Sequence, residues 1–531
     1  MATELFYLRP NIKMEPLVDQ WYAWPHLIPP ATCARNITER HLKIMDSYIS
    51  APQIHANAVS NPGLLGGPFI DYGGCRVDEI RALRDRTKAE RENLIHLSHA
   101  IAELDRMLRE EAKGYSLNAL YSRVPEALKG YVELVYDLNN NPSFRLIEGL
   151  LYRSQYYDRC AQSLMLSIVT GDERAFVLST PRLGSENTLH LRIPFDDERI
   201  DELFRLKTAP QPLATIREFL EVPDASVDLL KRMLTTEPPP PCEGYSGYGL
   251  RWRYFGHACV LLETREVKIL VDPAISYTYE SSLPRYTYQD LPESIDYLII
   301  THNHQDHVLF EALMQIKHKV RCFVVPGNMA GSLQDPSLKM TLQKIGCRNV
   351  IELSEMEQLT EGNISIVGIP FLGEHADLNI GTKLAYLLRI GSYSMLFAAD
   401  SCNPEPRMYE HLRREVGEID ALFVGMECDG APLSWLYGPL LTRSMDRGMD
   451  RSRRFAGSDC EQVVQIVDQL KPSEVYIYAL GQEPWLTYIM SLKYTEESKP
   501  IVESNRLIRE CASRGSRAER LFGQKEVLVE R

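Results

Sequence analysis

The sequence predicts an α/β protein of two domains, an α-rich α+β N-terminal half followed by a half in which strands and helices alternate. Three observations lead there. The chain has 531 residues, 44% of them hydrophobic, more than one ordinary core accommodates. Near the middle, Glu237-Pro238-Pro239-Pro240-Pro241 favours an extended spacer that no helix crosses. Beyond it, short apolar runs recur between helical patterns. The reading is an N-terminal domain over 1–236, a Pro/Gly-rich linker over 237–249 and a second domain over 250–531.

The elements follow in order. Met1 to about Leu65 is mixed and rich in proline and aromatics, and Trp21-Tyr22-Ala23-Trp24-Pro25-His26 reads as a packed turn. Arg76 to Glu111 is the clearest helix. Its residues Ile80, Leu83, Leu94, Leu97, Ile101, Leu104 and Leu108 form one apolar seam. The seam is long for a small domain to cover, so it predicts either internal core or a homodimer surface. Leu117 to Leu138 and Ser143 to Tyr156 continue the helical pattern. Ala175 to Ser179 and Thr188 to Ile193 look strand-like, and Asp196 to Leu206 is helical. In the second half strands are expected near 251–263, 267–272, 295–300, 321–325, 364–369, 384–390, 393–399, 420–425 and 474–479. Helices are expected near 309–318, 405–416, 459–470 and 486–495, and the tail after Pro500 begins as a helix and ends polar.

The chemistry gathers at Thr301-His302-Asn303-His304-Gln305-Asp306-His307. This loop follows the apolar run Ile295 to Ile300, where α/β sheets place their sites. Three imidazoles and a carboxylate in six residues repel when protonated and lose solvation when buried, unless a cation joins them. Alternation lets His302 and His304 face one metal while Asp306 and His307 turn toward a second. Further donors are Asp400, after Met395 to Ala399, and one of the neighbours Glu374 and His375. Beyond His375 the only histidine is His411, in a charged helix, and the loop Ala479 to Trp485 has none. With Glu374 chosen, half the donors are carboxylates, a set better suited to iron and oxygen than to hydrolysis by zinc hydroxide.

The His-x-His-x-Asp-His spacing, with Phe255 to Glu263, Val267 to Pro273 and Phe397 to Asp400, resembles the metallo-β-lactamase superfamily. That resemblance implies an αββα sandwich for the second half. The chain length, helical N-terminal domain, proline boundary and Gly373-Glu374-His375 resemble one branch, the CmlA-type diiron β-hydroxylases. Under this resemblance His302, His304 and Glu374 bind one iron, Asp306 and His307 the other, and Asp400 bridges. Asp272 then orients a ligand histidine, His375 stays outside the ligand set, and no catalytic residue is needed beyond the ligands. The resemblance further implies an O2-dependent monooxygenase of natural-product biosynthesis. Its substrate would be an amino acid held as a thioester on the peptidyl carrier domain of a nonribosomal peptide synthetase. Electrons would come from a separate reductase, since no flavin or iron–sulfur motif is present. The competing readings are a dinuclear zinc hydrolase of a lactone, thioester or phosphodiester, and a non-catalytic carrier-docking protein.

Other residues bound the partners. His257 reads as structural, and Glu427 and Asp429 as site contacts or plain loop residues. Arg443, Arg447, Arg451, Arg453 and Arg454 form a basic stretch. It is either a solvated loop or a docking surface for an acidic carrier, for which Arg451, Arg453 and Arg454 are candidates. A net charge of -13 argues against general affinity for nucleic acid or anionic membrane. No signal segment or bilayer-spanning apolar run is seen. Eleven scattered cysteines without a Cys-x-x-Cys pair read as reduced thiols of a cytoplasmic protein.

Overall fold

The computed structural model describes residues 4–240, 242 and 244–530; Pro241 and Glu243 of the expected linker lie outside the described residues. The second half is a sandwich of two seven-stranded sheets. The first runs Val350–Leu353, Val320–Pro326, Ile295–Ile299, Lys268–Val271, Cys259–Glu263, Leu250–Gly256 and Lys525–Val529. The second runs Gln358–Glu361, Ile364–Ile369, Ala385–Ile390, Tyr393–Phe397, Ala421–Gly425, Glu474–Tyr478 and Arg517–Arg520. Trp252, Val260, Ile269, Tyr386, Phe397, Phe423 and Tyr476 interdigitate between the sheets. The helices Arg407–Val416, Cys460–Leu470 and Lys499–Ser513 cover the second sheet. The helix Leu338–Lys344 packs on the outer face of the first sheet, against Val320–Pro326 and Val350–Leu353. There Phe310–Ile316 and the N-terminal half pack as one continuous core. Central strands are therefore apolar on both faces, which explains their unbroken hydrophobic runs.

The N-terminal half holds a four-stranded sheet with the order Trp21–Tyr22, Ile12–Val18, Gln162–Ile168 and Leu189–Leu191. Beside it lie two helices where one was expected, Val77–Glu90 and Glu92–Glu111. The break is Arg91, at φ -117° and ψ 25°. Its guanidinium is drawn to Asp19 at 2.8 Å and Asp158 at 2.6 Å, contacts invisible to periodicity. The seam is covered within the chain, with Leu97, Ile101 and Leu104 fully buried, so it presents no dimer surface.

The expected helices over 117–138 and 143–156 are largely replaced by a short 3-10 turn, Leu117–Arg123, and a hairpin, Val132–Tyr136 with Pro142–Leu146. β-branched and aromatic residues favour the strands. The Asp137 carboxylate accepts the N–H groups of Asn139 and Asn141 at 2.8 Å, which closes the turn. Ala175 to Ser179 is irregular rather than a strand; Val177 N–H bonds the Tyr488 carbonyl instead of a ladder. The helix expected over 486–495 is one turn, Thr487–Met490, ended by Ser491 at φ 52°. The strand expected over 251–263 is a hairpin that turns at His257. In the first half the strands Leu5–Leu8, Ile12–Val18 and Gln162–Ile168 were not foreseen, and in the second half four described strands were not foreseen either: Val350–Leu353, Gln358–Glu361, Arg517–Arg520 and Lys525–Val529. The last two are polar on one side, and their partners are remote in sequence.

A buried ion cluster joins the halves. Arg174 binds Glu311 at 2.7 Å and Glu15 at 2.8 Å, and Arg182 also binds Glu15. Tyr22 and Tyr277 donate to Glu311 at 3.0 and 2.7 Å. Glu311 lies on the helix that directly follows the histidine-rich loop, so this cluster anchors the N-terminal half beside the site.

Candidate metal centre

The loop after Ile295–Ile299 and the loops after the facing strands meet at one end of the sandwich. Two buried groups share His302: His302, His304 and Glu374 form one, and His302, His307 and Asp400 the other. A third group joins His257, Asp306 and His307. His304 Nδ1 lies 3.0 Å from Glu374 Oε1. His307 Nε2 lies 3.1 Å from Asp400 Oδ2 and 3.6 Å from Asp306 Oδ2, and His302 Nε2 lies 3.7 Å from Asp400 Oδ2. Adjacent donors around a metal with bonds of roughly 2.1 Å sit about 3 Å apart. His302 Nε2 and Asp400 Oδ1 are buried with no hydrogen-bond partner. Buried ligand atoms without a hydrogen-bond partner fit cations held between them.

The ring nitrogens are oriented from behind. Asp272 Oδ1 accepts from Thr301 N–H at 2.8 Å, and Oδ2 accepts from Thr301 Oγ1 at 2.6 Å. Asp272 Oδ2 also lies 2.8 Å from His307 Nδ1. The carboxylate therefore holds the proton on Nδ1 and leaves the His307 Nε2 lone pair for a metal. Having donated to Asp272, Thr301 Oγ1 accepts from His302 Nδ1 at 3.1 Å, which frees His302 Nε2 in the same way. His257 is oriented oppositely. Gly481 N–H donates to its Nδ1 at 3.2 Å, so its proton sits on Nε2, 3.0 Å from Asp306 Oδ2. His257 steers Asp306 and offers no lone pair to a metal.

The electrostatics describe a place built for positive charge. Burial lowers the affinity of His307 for a proton, yet Asp400, Asp272 and Asp306 outweigh it and raise its pKa well above the usual range. Burial works to raise the Glu374 carboxyl, but His304 and His375 bring it down to about 2. Burial raises Asp400. Glu427 is pushed well up by burial and by Asp400, Asp306 and Glu374, so it faces the same carboxylates. Asp429 instead pairs with Arg454 at 3.4 Å.

Backbone strain concentrates here. His257, Asp272, Glu374, Ala376, Asp377, Ala399 and Ala479 all have positive φ, between 40° and 63°. Each costs on the order of 1 kcal/mol and persists only where its surroundings dictate it. Ala399, at φ 46°, donates its N–H to Tyr478 Oη and aims Asp400 inward. Gly425 is required beside it, because a Cβ there would lie 2.6 Å from Asp400 Oδ1.

Each residue expected from sequence can be placed. His302, His304, Asp306, His307, Glu374 and Asp400 converge, and Asp272 lies behind His307. His375 Nδ1 approaches Glu374 Oε2 at 2.9 Å, and its ring lies 4.4 Å from that of His304. Arg453 is half-buried and donates to the Ala376 carbonyl at 2.8 Å, bracing the Glu374 loop. Arg451 is exposed. Sequence reading missed the linking role of Thr301 and the rings beside His304. Phe455 lies 5.4 Å from His304, Tyr437 5.8 Å from Phe455, and His26 5.7 Å from Tyr437. This brings the N-terminal Trp24-Pro25-His26 segment to the site. Burial, with His304 and Arg40 adding to it, pushes His26 down to about 3, so it is neutral. No local pattern could have shown it.

Residues 7–238 match the family described as diiron non-heme beta-hydroxylase N-terminal domain, and 251–428 match the beta-lactamase superfamily domain. The chain is 40% identical over 526 residues to the 4-amino-L-phenylalanyl-[CmlP-peptidyl-carrier-protein] 3-hydroxylase of Streptomyces venezuelae, covering 97% of this chain and 98% of that protein. It is similar to the crystal structure of CmlA, a diiron beta-hydroxylase from Streptomyces venezuelae, with a TM-score of 0.93 and 38% identity over 99% of this chain and 100% of that one. A mutant of that enzyme is similar with a TM-score of 0.91. Matching that family over residues 7–238 and these relatives over nearly its whole length, the chain belongs to the CmlA-type diiron β-hydroxylases.

Proposed function

We propose that this chain hydroxylates the β-carbon of an amino acid carried as a thioester on the peptidyl carrier domain of a nonribosomal peptide synthetase, using O2 and electrons from a separate reductase. The observation that carries the reading is Glu374. It lies with His302 and His304, while the loop after Glu474–Tyr478 binds His257 through backbone N–H groups and supplies no histidine. In this reading His302, His304 and Glu374 would hold one iron and Asp306 and His307 the other, with Asp400, grouped with His302 and His307, available to both. When bound, the irons supply the redox chemistry that inserts one oxygen atom from O2 into a C–H bond. The protein residues position and exclude. Asp272 and Thr301 fix the two imidazole tautomers, His257 fixes Asp306, and Arg453 and His375 fix the Glu374 loop. Phe455, Tyr437 and the neutral His26 keep one side of the site apolar.

The carrier is read from the basic segment. An open groove of about 530 Å3 is lined by Arg35, Lys43, Arg443 and Arg447, with Glu39 and Asp450. Lys43 is occupied by Glu39, and Asp450 by Ser434. Arg443, Arg447 and Arg451 are exposed, and we assign these three to the carrier or its phosphopantetheine phosphate. Arg453 and Arg454 serve the fold as well, through Ala376 and Asp429.

Iron-loaded protein, a reductant and O2 should add one oxygen atom to an aminoacyl-loaded carrier, read by intact mass, and little or none to the free amino acid. Efficient turnover of free amino acid would overturn the carrier assignment. Zinc-only protein acting as a hydrolase would overturn the oxygenase.

A further inference from the structure

At the other end of Ile295–Ile299 from the histidine loop, the two halves enclose a second cavity, of about 560 Å3. Five strand residues at ~3.3 Å each separate the two places by about 17 Å. Phe204, Tyr288, Leu291 and Ile316 form apolar walls, and Glu237 to Pro240 lines one side. Lys207 projects here from the N-terminal half. Its Nζ lies 4.2 Å from the centre of the Tyr288 ring and donates to Gln315 Oε1 at 2.8 Å. Among the described residues no carboxylate forms an ion pair with Lys207 or with Lys319, which lines the same cavity. His318 also lines it, and its Nδ1 is buried without a hydrogen-bond partner.

Buried ammonium groups are normally paired, because an unpaired one forfeits its hydration. Here burial, with Lys319 adding repulsion, brings the Lys207 pKa down to about 7. Glu293 and Glu237 are the described acids near this cavity, and neither pairs with Lys207. Among the described residues the one hydrogen bond of the ammonium is to a neutral amide, beside the faces of Tyr288 and Phe204. That amide continues the chain, since Gln315 Nε2 donates to Tyr277 Oη at 2.7 Å and Tyr277 donates to Glu311 at 2.7 Å.

We propose that this cavity is a binding site for a small organic anion. Its carboxylate or phosphate head sits on Lys207 and Lys319, and its apolar body sits against Phe204 and Tyr288. An anion there supplies the missing counter-charge and ends a hydrogen-bonded chain that reaches the ion cluster between the halves. Binding therefore raises thermal stability without touching the metal site.

The test is calorimetric titration of the full-length iron-loaded protein with benzoate, phenyl phosphate and benzylamine. One benzoate or phenyl phosphate per chain is expected, with no binding of benzylamine, whose shape is similar but whose charge is opposite. The tighter of the two anions identifies the head group. Lys207→Met should weaken binding at least tenfold. Thr208→Trp, at an exposed rim position, should also block it while leaving the ammonium in place, which covers the case of a misfolded lysine variant. The iron absorption should stay unchanged on titration. Binding that survives both substitutions, or that shifts the iron absorption, places the anion on the metals and overturns the proposal. So does equal affinity for benzylamine, or no heat with either anion at millimolar concentration.

Discussion

Glu374 stands at φ 63° between Gly373 and His375; its carboxylate lies 3.0 Å from His304 Nδ1, while the His375 ring, 4.4 Å from that of His304, makes no hydrogen bond to it. The two neighbours should therefore differ on substitution. Glu374→Ala should remove about one of two irons, by metal analysis after desalting, with the fold retained by circular dichroism. His375→Ala should lose less; the opposite ranking would exchange their roles. Asp272 acts at one remove. Asp272→Asn replaces a carboxylate oxygen that both Thr301 Oγ1 and His307 Nδ1 approach with an amide that cannot serve both. A loss of roughly 10- to 100-fold in metal affinity is expected, measured by competition with a chelator; an unchanged affinity would show that His307 keeps its tautomer without Asp272.

At the scale of elements, the tail is the unexpected component. Lys525–Val529 pairs residue for residue with Leu250–Gly256 and closes one sheet, and Arg517–Arg520 closes the other. Their alternating polar pattern is what an edge strand shows, since one face is solvated. Stopping the chain after Gly523 should expose the edge of Leu250–Gly256 and lose the packing of Val527 and Val529. A destabilisation of about 2–3 kcal/mol is expected from that lost burial, together with self-association seen by size-exclusion chromatography. A monomer with unchanged melting temperature would show that the sandwich is complete without the tail. The Arg76 to Glu111 seam teaches the converse. Its periodicity was legible, but whether it faced its own domain or a second copy depended on the helix Pro30–Asn36 packed against it.

At the scale of the whole molecule, the halves share one hydrophobic core and a buried ion cluster. Arg174→Met leaves Glu311 with only hydroxyl partners and removes one cation from Glu15. A loss of about 3–5 kcal/mol is expected for breaking a buried ion network from one side, read from urea unfolding. A change below about 1 kcal/mol would mean that apolar contacts alone hold the halves. The same interface delivers His26 to the metal centre, so Arg174→Met should also weaken turnover on a loaded carrier more than it lowers iron content.

Local sequence rules reached the sandwich strands that are apolar throughout and the candidate donors His302, His304, Asp306 and His307, and named Asp400 and Glu374 as further candidates. The strands follow from their length, and the first four donors from their crowding within six residues, which only a cation reconciles. Tertiary structure decided the rest. It brought Glu374 and Asp400 to those histidines across the sheets and set the proton of His257 through Gly481, 224 residues away. It left Arg443, Arg447 and Arg451 exposed while Arg453 was spent on the Glu374 loop. Side-chain direction on a loop depends on a positive φ imposed by distant neighbours, and an arginine's freedom depends on which carbonyl lies within reach. Neither is written in the spacing of residues along the chain.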